Sequence, residues 1–199
     1  NGRYMSRIDD EEFITDTVLQ DTIFNQWNDI QKTDTVVLSD YNKGSIKNPE
    51  KFIADCKGRV LVDPKLKLDR YKGAYLIKPN LKEFEEYVGK INSPKELMTK
   101  AQLTRDHLEL TYLVITLSED GVLLVGDTIE HYPSVVKEVS DVTGAGDVFM
   151  AGLALGLEYN KPISESTRLA NTLAGLSVSK AGTYTITKTD FNSTLEELK

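Results

Sequence analysis

The sequence predicts an α/β fold with a largely parallel sheet, and three observations carry that prediction. Short β-branched runs alternate with stretches of helical apolar spacing. The connections between them are short and polar. A glycine-rich turn, Asp141-Val142-Thr143-Gly144-Ala145-Gly146-Asp147, stands where a strand pattern (Val135 to Val139) gives way to a helical one (Val148 to Leu157).

The elements follow in order. Arg3 to Ile8 suits a strand, and Phe13, Ile14, Val18, Leu19, Ile23, Phe24, Trp27 and Ile30 keep the spacing of a long amphipathic helix. Thr35 to Ser39 is a short run ending in polar residues, as a buried parallel strand does, and Tyr41 to Ser45 is the loop at its carboxyl end. Asn48-Pro49 opens a helix to about Cys56, with a cap and then proline at the first position. Val60 to Val62 and Ala74 to Ile77 are further strands, ending in Asp63-Pro64-Lys65 and Lys78-Pro79-Asn80. Asn80 caps a helix Leu81 to Val88, and Ser93-Pro94-Lys95-Glu96 begins another to about Arg105 with a capping-box glutamate. Tyr112 to Thr116 is a strand. Val122 to Val125 and Ile129 to Tyr132 form a hairpin about Gly126-Asp127. Past the glycine turn come a helix from Ile163 to about Lys180, stopped at Gly182, and a short one after Thr189. No repeat, low-complexity run or linker interrupts the pattern, so residues 1–199 read as one domain.

Composition narrows the function. A net charge of −7 without a Lys/Arg cluster argues against nucleic acid as a general partner. Cys56 is the sole cysteine, which excludes an intrachain disulfide framework and fits a reducing cytoplasm. No run approaches the roughly 18 apolar residues that span a membrane, and no secretory leader is visible. The chain opens on Asn1-Gly2-Arg3-Tyr4-Met5 rather than an initiator methionine, and reads like the later part of something longer.

Four loops fall at strand carboxyl ends, the edge where open α/β sheets bind ligands. Asp40 to Gly44 offers a carboxylate and Lys43; Asp63 to Lys65 offers a second such pair. Asn80 to Glu83 places an amide and a carboxylate one helical turn apart, hence on one face. The fourth is the glycine turn. Its small residues let backbone N–H groups close on a ligand, and a helix N-terminus favours an anion there. A carboxylate beside an anion site is awkward unless it has a task, such as taking a proton from a hydroxyl that attacks a phosphoryl group. Plainer readings stand beside these: Lys43 and Lys65 as solvated loop lysines, Asn80 as only a cap, Glu83 as a first-turn acid, and Asp147 as the cap of an ordinary glycine turn. His107 and His131 join no constellation. Neither a P-loop nor a dinucleotide fingerprint is present.

With these loops in order, the chain resembles the ribokinase-like sugar kinases, the PfkB family. The residues that carry the resemblance are Asp141 to Phe149 and Asn80-Leu81-Lys82-Glu83. Within the family it is most similar to the heptose 7-phosphate kinase domain of bifunctional ADP-heptose synthesis proteins. That similarity lies in Val37 to Gly44, Val62 to Lys65 and Lys78 to Glu85.

The resemblance implies a ribokinase-like three-layer sandwich, and ATP, Mg2+ and K+ as cofactors. Asp147 matches the catalytic base. The N–H groups of Gly144, Ala145 and Gly146 match the anion hole for the transferring phosphoryl. Asn80 and Glu83 match the element that organises the nucleotide phosphates and Mg2+. Thr116, Ser118 and Gly121 match the loop along the nucleotide, and Asn171 the position beside adenine. Asp141 and Thr143, with carbonyls near Lys180 and Gly182, match a monovalent cation site. Asp40, Lys43, Asp63 and Lys65 lie towards the phosphosugar. The implied product is D-glycero-β-D-manno-heptose 1,7-bisphosphate; fructose phosphate, ribose or a nucleoside is the alternative acceptor. The resemblance also implies that first strands and a lid are missing at the front. A homodimer, or association with that portion, would then cover the open sheet edge.

Overall fold

The alternation of side chains along each strand decides which helices pack on which face. The structure is a computed structural model that describes residues 34–65, 67–136 and 139–198. The strand expected from Arg3 to Ile8 and the helix expected from Phe13 to Ile30 lie outside the described residues.

Thr35–Ser39 forms β1, Arg59–Asp63 β2, Leu76–Ile77 β3, Tyr112–Thr116 β4, Val122–Val125 β5 and Ile129–Tyr132 β6. They make one sheet in sequential order, with β1 to β4 parallel and the β5–β6 hairpin antiparallel. Helices α1 (Pro49–Asp55), α2 (Leu81–Val88) and α3 (Pro94–His107) connect the parallel strands. They cover the face that carries Val36, Leu38, Val60, Val62 and Ile77, with Phe52, Phe84 and Ala101 as the helices' own contribution. The chain then supplies α4 (Ala145–Glu158), α5 (Ile163–Ser179) and α6 (Lys188–Glu197). Phe149, Met150, Leu153 and Leu157 of α4 and Ala170 of α5 pack on Leu61, Leu76, Val114, Val122 and Leu124. Helices therefore lie on both faces of the sheet, which is the expected three-layer arrangement.

Glycine sets the spacing of the second helical layer. A Cβ at Gly152 would lie 3.1 Å from the Ala170 Cα, and one at Gly156 only 2.7 Å from the Ser166 Oγ. The α4 and α5 backbones approach closely along that seam.

Two sequence expectations are corrected. No strand forms in the described part of Val135 to Val139, where both named valines are more than half exposed. The segment instead crosses α5 at Gly175, whose missing side chain leaves room for Val135 and Val136. The N–H groups of Ser140 and Asp141 then donate to the Val178 carbonyl, at 2.7 and 3.2 Å. Tertiary contact has overridden β-propensity. The second correction is that α4 starts at Ala145, three residues before Val148, so Asp147 lies within its first turn.

Capping differs in detail too. Asn80 and Glu83 form the reciprocal box. Ser93 accepts from the Glu96 N–H, but the Glu96 carboxylate turns to the Asn92 N–H, and the Asn48 side chain makes no capping bond. No helix among the described residues is long and apolar enough to cross a membrane.

Candidate active site

Backbone bonds carry the parallel ladder past the strand ends and fix the residues of its carboxyl edge. Asp40 N–H donates to the Asp63 carbonyl at 3.0 Å, Lys78 N–H to the Val62 carbonyl at 2.9 Å, and Thr116 N–H to the Pro79 carbonyl at 3.1 Å. Asn80 and Thr116 are joined by an isolated parallel bridge. Above this edge stands the start of α4. Its N-cap, Gly144, has φ +80°, in the left-handed region that glycine enters without strain.

Between them is a cavity of about 210 Å³ lined by Asp40, Asp63, Lys65, Asn80, Glu83, Gly144, Gly146 and Asp147, all anticipated from sequence. Ser39, Tyr41, Pro64 and Lys78 line it too and were missed. Lys78 directly follows β3, as Asp40 directly follows β1, and that shared position was the available signal. Tyr41 carried none beyond its place beside Asp40.

The charges in the cavity are coupled. Lys78 is 3% exposed, and its Nζ lies 3.0 Å from Asp63 Oδ1. Burial pushes the Asp63 carboxyl above the usual range, Lys78 pulls it back, and the Glu83 and Asp147 charges push it up further. Lys65 Nζ lies 3.4 Å from Glu83 Oε1, and Glu83 Oε2 accepts from the Asn80 N–H at 2.9 Å. Tyr41 donates its hydroxyl to the Asp147 carboxylate at 3.3 and 3.4 Å. Burial raises the Tyr41 phenol above its ordinary value, and the charge of Asp147 adds to that.

Asp147 stands in the first turn of α4, after a glycine N-cap, and its carboxylate accepts from Tyr41.

Other anticipated residues fall elsewhere. Asp40 lines the cavity, but its carboxylate is turned inward. It accepts from the Tyr71 hydroxyl at 2.7 Å and the Asn42 N–H at 2.8 Å, with Arg70 at 3.5 Å. Lys43 lies outside the cavity lining, its Nζ 6.0 Å from the Tyr41 ring centre. Ala145 donates its N–H to the Val142 carbonyl at 3.2 Å, so of the three turn amides expected to face an anion this one is engaged. Thr116 adjoins the cavity through Asn80. Ser118 opens a short 3-10 turn, Ser118–Asp120, and Gly121 follows it. A Cβ on Gly121 would come 2.6 Å from the Pro133 carbonyl carbon, and Asn171 Nδ2 donates to the Pro133 oxygen at 2.9 Å. Gly121 and Asn171 thus meet at Pro133, outside the polar cavity. Asp141 Oδ1 accepts from the Thr143 N–H at 2.9 Å, which lowers that carboxyl.

The donor set can be tested against Mg2+. Asp63, Glu83 and Asp147 line one polar cavity and offer the carboxylate oxygens that Mg2+ takes as ligands. Among the described residues no group of three His, Cys, Asp or Glu side chains is placed to enclose the ion.

Residues 15–190 match the family model described as "pfkB family carbohydrate kinase". The chain belongs to the pfkB family. Among curated relatives, the "Bifunctional protein HldE" of Shewanella sediminis is 46% identical over 159 residues, covering 77% of this chain and 33% of that protein. The protein of the same description from Haemophilus influenzae is 37% identical over 195 residues, covering 95% of this chain and 41% of its own length. The chain thus spans about a third to two fifths of these relatives. Solved structures agree on the fold. A putative sugar kinase from Clostridium perfringens superposes with a TM-score of 0.73 at 24% identity, covering 89% of this chain and 58% of that one. Phosphofructokinase-2 from Escherichia coli in complex with potassium gives 0.74 at 19%, covering 89% and 62%.

Proposed function

We propose that this chain forms the nucleotide-binding and phosphoryl-transfer part of a sugar-phosphate kinase, which moves the γ-phosphoryl of ATP to a hydroxyl of the sugar. The observation that carries this reading is Asp147. It is a carboxylate in the first turn of α4 that lines one cavity together with Gly144, Gly146, Asn80 and Glu83.

In this reading the acceptor hydroxyl takes the place at Asp147 that the Tyr41 hydroxyl now holds. Asp147 accepts its proton as the oxygen attacks phosphorus, and the proton stays on the Asp147 carboxyl until the product leaves. The N–H groups at Gly144 and Gly146 face the equatorial phosphoryl oxygens, where charge develops, without needing to reorganise. Glu83 and Asn80 would hold the hydrated metal–phosphate group, and Mg2+ would supply neutralisation of phosphate charge when bound. The Pro133 cluster with Gly121 and Asn171, and Ser118 and Thr116 nearby, serves the nucleoside. Asp63 and Lys65 serve the phosphosugar, and Asp40 serves it indirectly by holding its loop. The relatives' description as HldE proteins, together with the similarity of the 37–44 and 78–85 loops, favours heptose 7-phosphate as acceptor and its 1,7-bisphosphate as product.

K+ at Asp141 and Thr143, with carbonyls near Lys180 and Gly182, is part of this proposal. The Ser140 and Asp141 bonds to Val178 tie that loop to the end of α5, so an ion there would brace the glycine turn. Replacing K+ by Na+ is expected to lower turnover; equal rates would remove the ion from the account.

A second reading has one observation in its favour. Among the described residues β1 is an edge strand, and Val37 on it is 40% exposed. A nucleotide-binding unit completed by a partner chain or a second copy would leave that edge open. Calorimetric titration with ATP and Mg2+ beside a turnover assay separates the two. Binding with ADP formation supports the kinase, and binding without it the second reading. Absence of binding overturns both.

A further inference from the structure

We propose that Tyr41 is a positioning residue that guards Asp147: its hydroxyl holds the carboxylate until an acceptor displaces it, which keeps the γ-phosphoryl from passing to water. The proposal rests on the kinase reading of this cavity and deepens it, by naming what selects a sugar hydroxyl over water.

A base that takes a proton from a sugar hydroxyl can take one from water. In that side reaction a water oxygen bonds phosphorus and its proton goes to Asp147, while the bond to ADP breaks and ADP keeps the electron pair. Keeping water from the reacting centre prevents such losses. In this chain one side chain is placed to do so at the base itself. The Tyr41 hydroxyl lies 3.3 and 3.4 Å from the two Asp147 oxygens, across 106 residues of sequence, and both residues line the same cavity. One donor thus faces both oxygens. Burial and the Asp147 charge hold the phenol above its ordinary value, so it remains a donor at neutral pH.

The loop that carries this hydroxyl is firm at its base and exposed at the ring. Asp40, just before Tyr41, is buried, and its carboxylate accepts from the Tyr71 hydroxyl and the Asn42 N–H. Asn42 and Gly44 have φ +56° and +88°, so the chain turns tightly straight after the tyrosine. Tyr41 itself is 53% exposed and lies outside the buried clusters. Rotation about its own side-chain bonds frees Asp147 while the backbone stays in place. The two contacts are long for a hydroxyl on a carboxylate, hence weak enough to yield. A water that displaced the phenol would exchange one hydrogen bond for another. A sugar phosphate brings further contacts, at Asp63 and Lys65 in the kinase reading, and that remote binding energy drives the exchange. Tyr41 discriminates by what else the incoming hydroxyl carries.

The test measures ADP release from MgATP without acceptor, and transfer to heptose 7-phosphate beside it. It compares the 199-residue chain with Tyr41→Phe, which keeps the ring and loses the hydroxyl. Hydrolysis is expected to rise about threefold to tenfold in the variant, the range that release of one hydrogen bond gives. The ratio of hydrolysis to transfer should rise with it. Tyr41→Leu, which lacks the ring as well, should repeat the rise. Tyr41→Phe combined with Asp147→Asn should hydrolyse ATP no faster than the unaltered chain, because the gain passes through Asp147. A merely structural role would lower hydrolysis and transfer together. No rise in hydrolysis, or a rise that survives Asp147→Asn, overturns the proposal, and transfer in the same samples leaves the kinase reading standing. A rise that needs Asp147, without transfer to heptose 7-phosphate, supports the guard and overturns that acceptor. Neither transfer nor ADP release from any of these proteins overturns the kinase reading and this proposal with it.

Discussion

At the scale of single residues, the account turns on which carboxylates face the cavity and which are spent on the protein. Asp40 looks in sequence like a site acid at a strand end, yet its oxygens bond Tyr71, Asn42 and Arg70. Replacing Asp40 by Ala should therefore act on stability, leaving the Tyr71 hydroxyl buried without its acceptor. A loss of about 1–3 kcal/mol in denaturant unfolding is expected, with ATP affinity nearly unchanged. Asp63 behaves oppositely. Its folded pKa is raised, so between the unfolded carboxylate value and the folded one the native state binds more protons, and stability falls as pH rises through that interval. A carboxyl NMR titration should place Asp63 above the ordinary aspartate range. Asp63 and Lys65 were legible in sequence as a charged pair after a strand. Lys78 was not, because a lone lysine before Pro79 reads as loop, and only the register of β3 beside β2 brings it onto Asp63.

Among the elements, local signals read well where they are self-contained. The Asn80–Glu83 box and the hairpin about Gly126 need only neighbouring residues, and both form as the sequence indicates. Val135 to Val139 read as a strand because alternating valines fit one. Its contacts with α5 are long-range and invisible in a local window. The close seam of α4 and α5 makes a second test. Gly156→Val should force Ser166 outward and cost about 1–3 kcal/mol, measured by urea unfolding. Acid should loosen α6. Asp190 is lowered by bonds from the Thr187 hydroxyl and N–H and from Tyr184. Its contribution is present above the unfolded carboxylate pKa and is lost as pH falls through the lower folded value. Hydrogen exchange in Lys188–Glu197 should rise at acid pH while β2 to β4 stay protected.

For the whole molecule, the sheet places four strand ends along one edge and α4 over them, and this arrangement brings residues 40, 63, 80 and 147 into one cavity. Fold class and the turn at Asp141 to Asp147 were legible because alternation and glycine spacing are sequence properties. The ion pair under the turn required the assembled sheet. The central claim is that Asp147 accepts a proton during phosphoryl transfer at this cavity, and the most direct measurement follows transfer by phosphorus NMR. ATP, Mg2+ and heptose 7-phosphate are mixed with the protein or its Asp147→Asn variant, with ATP affinity measured in parallel. The account predicts a sugar 1-phosphate signal from the unaltered protein, and a rate lower by about 10²–10⁴-fold in the variant at similar ATP affinity. An Asp147→Asn protein that transfers phosphoryl at the unaltered rate would contradict it.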